Sequence, residues 1–163
     1  MDAHPSRLPP LVARGGLALS EPELTIWGER LGRAARPPLV VTLSGDLGAG
    51  KTTLASAICR GYGVTEHVTS PTFALVHEYI AERSAVFHLD LYRLKGPEEL
   101  LNIGWDDIVG AEALILIEWP ERAGSLLPAN HLPVSLAHLD EDPGRRVLYA
   151  GGHLGEGRFG DHS

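Results

Sequence analysis

The sequence predicts an α/β layer fold: one domain, a mixed sheet flanked by helices. Three observations carry this expectation. Apolar, β-branched runs of strand length alternate with segments of helical period. Glycine and proline separate them. The chain has 163 residues, enough for one domain that buries a real core. At 44% hydrophobic and 21% charged residues it lies in the globular range, which excludes global disorder.

Residues 1–12 are proline-rich and patternless, and read as a loose lead-in to a domain over 13–150. Ser20-Glu21-Pro22-Glu23 is a capping-box pattern. Leu24, Trp27, Leu31 and Ala34 follow at helical spacing, so the pattern predicts a helix over 21–35, stopped by Pro37-Pro38. Leu39 to Leu43 reads as a buried strand, and Lys51 to Tyr62 as a helix closed by Gly61 and Gly63. Phe73 to Ile80 and Val86 to Tyr92 read as two strands. In the second, Val86, His88, Asp90 and Tyr92 share one face, and Phe87, Leu89 and Leu91 the other. Pro97 to Ile103 suggests a short helix, and Ala113 to Ile117 another buried strand. Leu132 to Leu139 and Arg146 to Tyr149 form a closing hairpin around Asp140 to Gly144. Residues 151–163 are glycine-rich and without apolar period, and read as a mobile tail.

The formal net charge is −7, so the chain is poorly suited to gripping nucleic acid by itself. One cysteine, Cys59, allows neither an internal disulfide nor a cysteine zinc site. No run of about 20 apolar residues exists for a membrane helix, and residues 1–10 lack a signal peptide's apolar core. These features point to a cytoplasmic protein.

Chemistry enters at Gly45-Asp46-Leu47-Gly48-Ala49-Gly50-Lys51-Thr52, which fits the phosphate-loop pattern G-x-x-x-x-G-K-[ST]. The pattern lies between a strand and a helix, as its function requires. Successive backbone N–H groups would turn around phosphate oxygens, and the helix N-terminus would add partial positive charge. Lys51 would reach the β- and γ-phosphates, and the Thr52 hydroxyl would ligate Mg²⁺. Thr53 opens the helix beside them. The fold class sharpens to a P-loop NTPase domain with a nucleotide and Mg²⁺ as ligands.

Such a site needs a further carboxylate for the metal. Glu118 ends the strand 113–117, and Asp90 interrupts the strand 86–92. The residues alone leave open which of the two binds the ion. Ser70-Pro71-Thr72-Phe73, about 20 residues after the loop, has the position of a switch whose Thr72 hydroxyl senses the γ-phosphate. The same segment also reads as a plain proline turn.

With these segments in place, residues 19–140 resemble the bacterial TsaE family of ATPases in tRNA threonylcarbamoyladenosine biosynthesis. The resemblance rests on 43–52, on Ser70 to Tyr79, on His88-Leu89-Asp90-Leu91-Tyr92-Arg93-Leu94 and on Ile117-Glu118-Trp119-Pro120-Glu121. Ala74 and His77 depart from the family pattern, and the tail after 150 has no counterpart. The resemblance implies a small ATPase working with the threonylcarbamoyl transferase subunit (TsaD) and its paralogous partner (TsaB). Contact with tRNA would be indirect, and no membrane would be involved. It further implies that Thr52 and Glu118 hold Mg²⁺. Asp90 and Trp119 would line the γ-phosphate side, and Ser20 and Glu21 would lie near the adenine.

Two other readings remain open. A P-loop kinase for a small metabolite or nucleotide would need a second pocket and a basic lid, for which only Arg93 and the Arg122 region are available. A nucleotide-gated binding module would use slow hydrolysis as a timer. A GTPase is disfavoured, because no N-K-x-D segment occurs.

Overall fold

The chain runs β1 (Ala13–Ser20), α1 (Glu21–Ala34), β2 (Leu39–Ser44), α2 (Lys51–Tyr62), β3 (Val76–Ile80), β4 (Ala85–Asp90), α3 (Trp105–Val109), β5 (Leu114–Glu118), β6 (Leu132–His138) and β7 (Arg145–Ala150). Short 3₁₀ segments cover Pro97–Ile103 and Pro120–Leu126. The computed structural model describes residues 10–46, 48–68 and 75–151. Leu47, the expected switch with Thr72, and the tail from residue 152 onward lie outside the described residues.

The strands form one mixed sheet in the order β1-β7-β6-β2-β5-β4-β3. The pairs β6/β2, β2/β5 and β5/β4 are parallel, and the outer pairs are antiparallel. The interior strands are covered on both faces, which explains their unbroken apolar runs. In β5, Leu114 and Leu116 enter one core cluster with Leu24, Trp27, Leu54 and Ile58 of α1 and α2. Ile115 and Ile117 enter the other, with Leu100 and Trp105. In β4, Val86 joins the first cluster and Leu89 the second.

This alternation places the polar side chains. Glu118 continues the parity of Leu114 and Leu116, and Asp90 and His88 that of Val86. All three therefore belong to the α2 face of the sheet. Parallel register pairs Leu43 with Glu118 and Glu118 with Asp90. The carboxyl ends of β2, β5 and β4 thus form one row, the edge at which open α/β sheets bind ligands.

Helix α1 begins as the capping box requires. The Glu23 N–H donates to the Ser20 hydroxyl at 3.3 Å, and the Ser20 N–H donates to the Glu23 carboxylate at 2.8 Å. That backbone bond, with Arg145 assisting, holds the Glu23 carboxyl below its usual range. Helices α1 and α2 pack closely through small residues. A Cβ on Gly32 would stand 2.1 Å from the Ile58 carbonyl oxygen, so only glycine fits there.

Several boundaries differ from the sequence expectation. No strand is foreseen before Ser20, yet β1 pairs with β7. Its register shifts between Ala13 and Leu17, and Gly16 takes a φ of 88°, which erases the period-two signal. Residues 10–12 of the expected lead-in pack against the domain. Leu11 is buried, and the Trp27 indole N–H donates to the Pro10 carbonyl at 2.9 Å. Strand β4 ends at Asp90 rather than Tyr92, because the Asp90 carboxylate accepts the Tyr92 N–H at 3.0 Å and turns the chain. Helix α3 and the 3₁₀ segment after Trp119 are additional elements.

Candidate functional site

The phosphate-loop sequence lies between the carboxyl end of β2 and the start of α2. Gly50 caps α2 in the left-handed region, at φ 104°, where a side chain would be strained. No side chain caps this helix, and its first N–H groups therefore face the loop. An uncapped N-terminus of this kind binds anions.

Lys51 is buried, with only 5% of its surface exposed. Its ammonium donates to the carbonyls of Gly45 and Asp46, the latter at 2.9 Å. It also stands 4.3 Å from the centroid of the Trp119 ring, a cation–π contact. Burial pushes the Lys51 pKa below its ordinary value, opposed by the charges of Glu118, Asp90, Glu121 and Asp46.

Glu118 emerges next to the helix start. Its carboxylate oxygens lie 3.4 and 3.5 Å from the Thr52 hydroxyl, long contacts for a hydrogen bond. The His88 Nε2 is 2.7 Å from the Glu118 Oε2. His88 is fully buried and Glu118 is 2% exposed. Trp119, the next residue, takes a left-handed backbone at φ 58°, the one non-glycine residue to do so among those described. Its ring packs on Tyr92 at 5.0 Å between centroids.

Lys51, Thr52, Glu118, Trp119 and Tyr92 line a cavity of about 350 Å³ together with Gly48, Gly50 and Asp90. A second cavity, about 290 Å³, also adjoins the loop and is lined by Glu21, Leu24, Pro143 and Arg146. Gly48, Gly50 and Thr53 line both.

The residues fit a magnesium ion. Mg²⁺ takes one or two protein oxygens and fills its remaining positions with phosphates and water. Thr52 and Glu118 offer such a pair at the loop. No cluster of three or more His, Cys, Asp or Glu side chains capable of holding a metal occurs among the described residues.

A family model described as "Threonylcarbamoyl adenosine biosynthesis protein TsaE" matches residues 19–147. The chain belongs to the TsaE family. It is 42% identical over 103 residues to a Haemophilus influenzae protein named tRNA threonylcarbamoyladenosine biosynthesis protein TsaE, covering 63% of this chain. That match spans 65% of the Haemophilus protein, just under two thirds of its length. A Nostoc relative of the same name is 40% identical over 128 residues, covering 76% of this chain and 78% of the relative. The crystal structure of YdiB from Bacillus subtilis superposes with a TM-score of 0.66 at 27% identity. The superposition covers 86% of this chain and 89% of YdiB. The fold is accordingly an α/β P-loop NTPase domain with a mixed sheet flanked by helices.

The TsaE match contains both cavities. Of the expected site residues, Gly48, Gly50, Lys51, Thr52, Thr53, Asp90, Glu118 and Trp119 line the first. Gly45 and Asp46 contribute the carbonyls that hold Lys51. Ala49 and Glu21 line the second, whereas Ser20 uses its hydroxyl to cap α1. Leu47 and Thr72 lie outside the described residues.

Three residues of the site went unrecognised in the sequence. Tyr92 supports Trp119, and His88 supports Glu118. The Arg146 guanidinium donates to the Gly48 carbonyl at 3.3 Å and lines the second cavity. His88 and Tyr92 left a signal, two residues before and after Asp90 on the same face of the expected strand; Arg146 left none.

Proposed function

We propose that the chain is a magnesium-dependent ATPase that supports formation of threonylcarbamoyladenosine in tRNA. The observation that carries the reading is the meeting of Lys51, Thr52 and Glu118 at an uncapped helix N-terminus, beside two cavities that share the loop. Membership of the TsaE family supplies the pathway.

The triphosphate would lie on the first N–H groups of α2, with the adenosine between Glu21 and Arg146. Lys51 would exchange its loop carbonyls for phosphate oxygens, a charge-assisted contact. Bound Mg²⁺, held by Thr52 and Glu118, would neutralise charge on the β- and γ-phosphates. Asp90, in the same cavity, would orient the attacking water and take up its proton, and Trp119 would shield that side from solvent.

No arginine lines the first cavity among the described residues. Arg122 stands behind the cavity wall, over the Tyr92 ring, and donates to the Leu94 carbonyl. P-loop hydrolysis without such a cation is slower by about 10³–10⁵-fold. The ATPase is therefore slow alone and is activated by the TsaD–TsaB pair. That pair carries the transfer chemistry and the tRNA, which this acidic chain would touch only indirectly, in the cytoplasm. No described helix is long and apolar enough to cross a membrane.

Steady-state ATP hydrolysis at fixed Mg²⁺, with and without the transferase pair, tests the reading. Turnover should rise when the pair is added. By linkage, the pair should tighten ATP binding by the factor with which ATP tightens docking. Equal rates, together with phosphate transfer to a small acceptor, would favour a kinase instead.

A further inference from the structure

We propose that His88 is a positioning residue that fixes the Glu118 carboxylate for the magnesium site. The inference rests on the reading of Glu118 as a metal-holding carboxylate, and adds a residue that acts through it.

Glu118 is at the end of β5, where a carboxylate on a flexible side chain could adopt several rotamers. Its neighbour on β4 restricts it. His88 pairs in register with Leu116, so its ring lies diagonal to Glu118 on the same face of the sheet. The Nε2–Oε2 separation of 2.7 Å is short, and both side chains are almost wholly buried. A carboxylate that holds a metal ion only accepts, so in the proposed site Nε2 would be the donor of this contact. This engages Oε2 from the sheet side, while both carboxylate oxygens stay near the Thr52 hydroxyl.

The other ring nitrogen identifies the purpose of the contact. His88 Nδ1 is buried and has no hydrogen-bond partner among the described residues. A buried polar side chain with one bond made and one missing is a poor device for stability. The single bond it makes is to the carboxylate at the loop. A polar group that orients a metal ligand in this way typically changes metal affinity or activity by about 10–100-fold when removed.

The unpartnered Nδ1 also makes the role testable, because only the Nε2 position matters. Glutamine places its amide near the position of Nε2, whereas asparagine ends near Nδ1. His88→Met fills the volume without a donor. The measurements are calorimetric ATP affinity in MgCl₂ and in EDTA, Mg²⁺-ATP turnover, and the melting temperature. In His88→Met and His88→Asn the Mg²⁺ enhancement of ATP affinity and the turnover should fall by about 10–100-fold. Their affinity in EDTA should be unchanged. His88→Gln should recover most of both properties.

A folded His88→Met with the wild-type response to Mg²⁺ would overturn the proposal. So would a folded His88→Gln as impaired as His88→Asn, because a packing role does not distinguish where the donor stands. If His88→Met fails to fold, the Gln and Asn pair still decides. Wild-type protein that binds no Mg²⁺-ATP would overturn the site reading itself. Wild-type protein that binds it, with all three variants alike, would overturn the positioning role alone.

Discussion

The Lys51 ammonium lies 4.3 Å from the centre of the Trp119 indole, which joins the start of α2 to the residue after β5. Trp119 reaches this position through a left-handed backbone that costs a non-glycine residue of the order of 1–3 kcal/mol. Tyr92 packs against its ring, and the Trp119 N–H donates to the Leu43 carbonyl at 3.3 Å. The aromatic wall and the loop carbonyls hold a buried cation where burial alone disfavours its charge. ATP phosphates would replace those carbonyls with a stronger partner.

Glu118→Gln should retain ATP binding and lose hydrolysis. It keeps the shape of the side chain and removes the charge beside Thr52. Turnover should fall by at least about 10–100-fold, the loss seen even for groups one step removed from a metal. Asp90→Asn should leave more of the Mg²⁺ dependence of ATP affinity intact than Glu118→Gln. Calorimetry and phosphate release on both variants make the comparison. The reverse ranking would exchange the roles of the two acids.

Gly32→Ala should destabilise the fold by about 1–3 kcal/mol or more, as overpacking does. The new methyl would meet the Ile58 carbonyl oxygen at 2.1 Å and the Tyr62 nitrogen at 2.7 Å, both backbone atoms that cannot swing aside. Urea unfolding should show a lower midpoint. An unchanged midpoint would mean that α1 and α2 separate at little cost.

Cys59 should resist alkylation by iodoacetamide at pH 8 in the folded protein and react on unfolding. Burial pushes its thiol up to about 12, from 9.0. Between those values the folded state holds a proton that the unfolded chain has lost. Stability from this residue is therefore complete below pH 9 and declines as pH rises towards 12. Cys59→Ala should flatten that alkaline slope in pH-dependent melting.

The elements legible in the sequence are those whose signal is local. The capping box at Ser20 and Glu23, the apolar runs of β2 and β5, and the phosphate loop each lie within a few residues. β1 escaped because Gly15 and Gly16 break its alternation and its pairing is with β7, at the far end of the described chain. Among the site residues, Glu118 was legible as a charge ending an apolar strand. His88 and Arg146 were not, because their partners are 30 and 98 positions away in sequence. The alternation in β4 placed His88 beside Asp90 on one face, but only parallel register against β5 brings it to Glu118.

The most direct test of the account is a calorimetric titration of Mg²⁺-ATP into the wild-type chain and into Lys51→Ala. Lys51 supplies the one lysine of the site, and its loss removes a charge-assisted contact of about 1.5–3 kcal/mol, or roughly 10–150-fold in affinity. The account predicts one ATP site per chain in the wild type and a loss of that size in a variant that still melts cooperatively. Wild-type protein without ATP binding, or a folded Lys51→Ala with unchanged affinity, would contradict it.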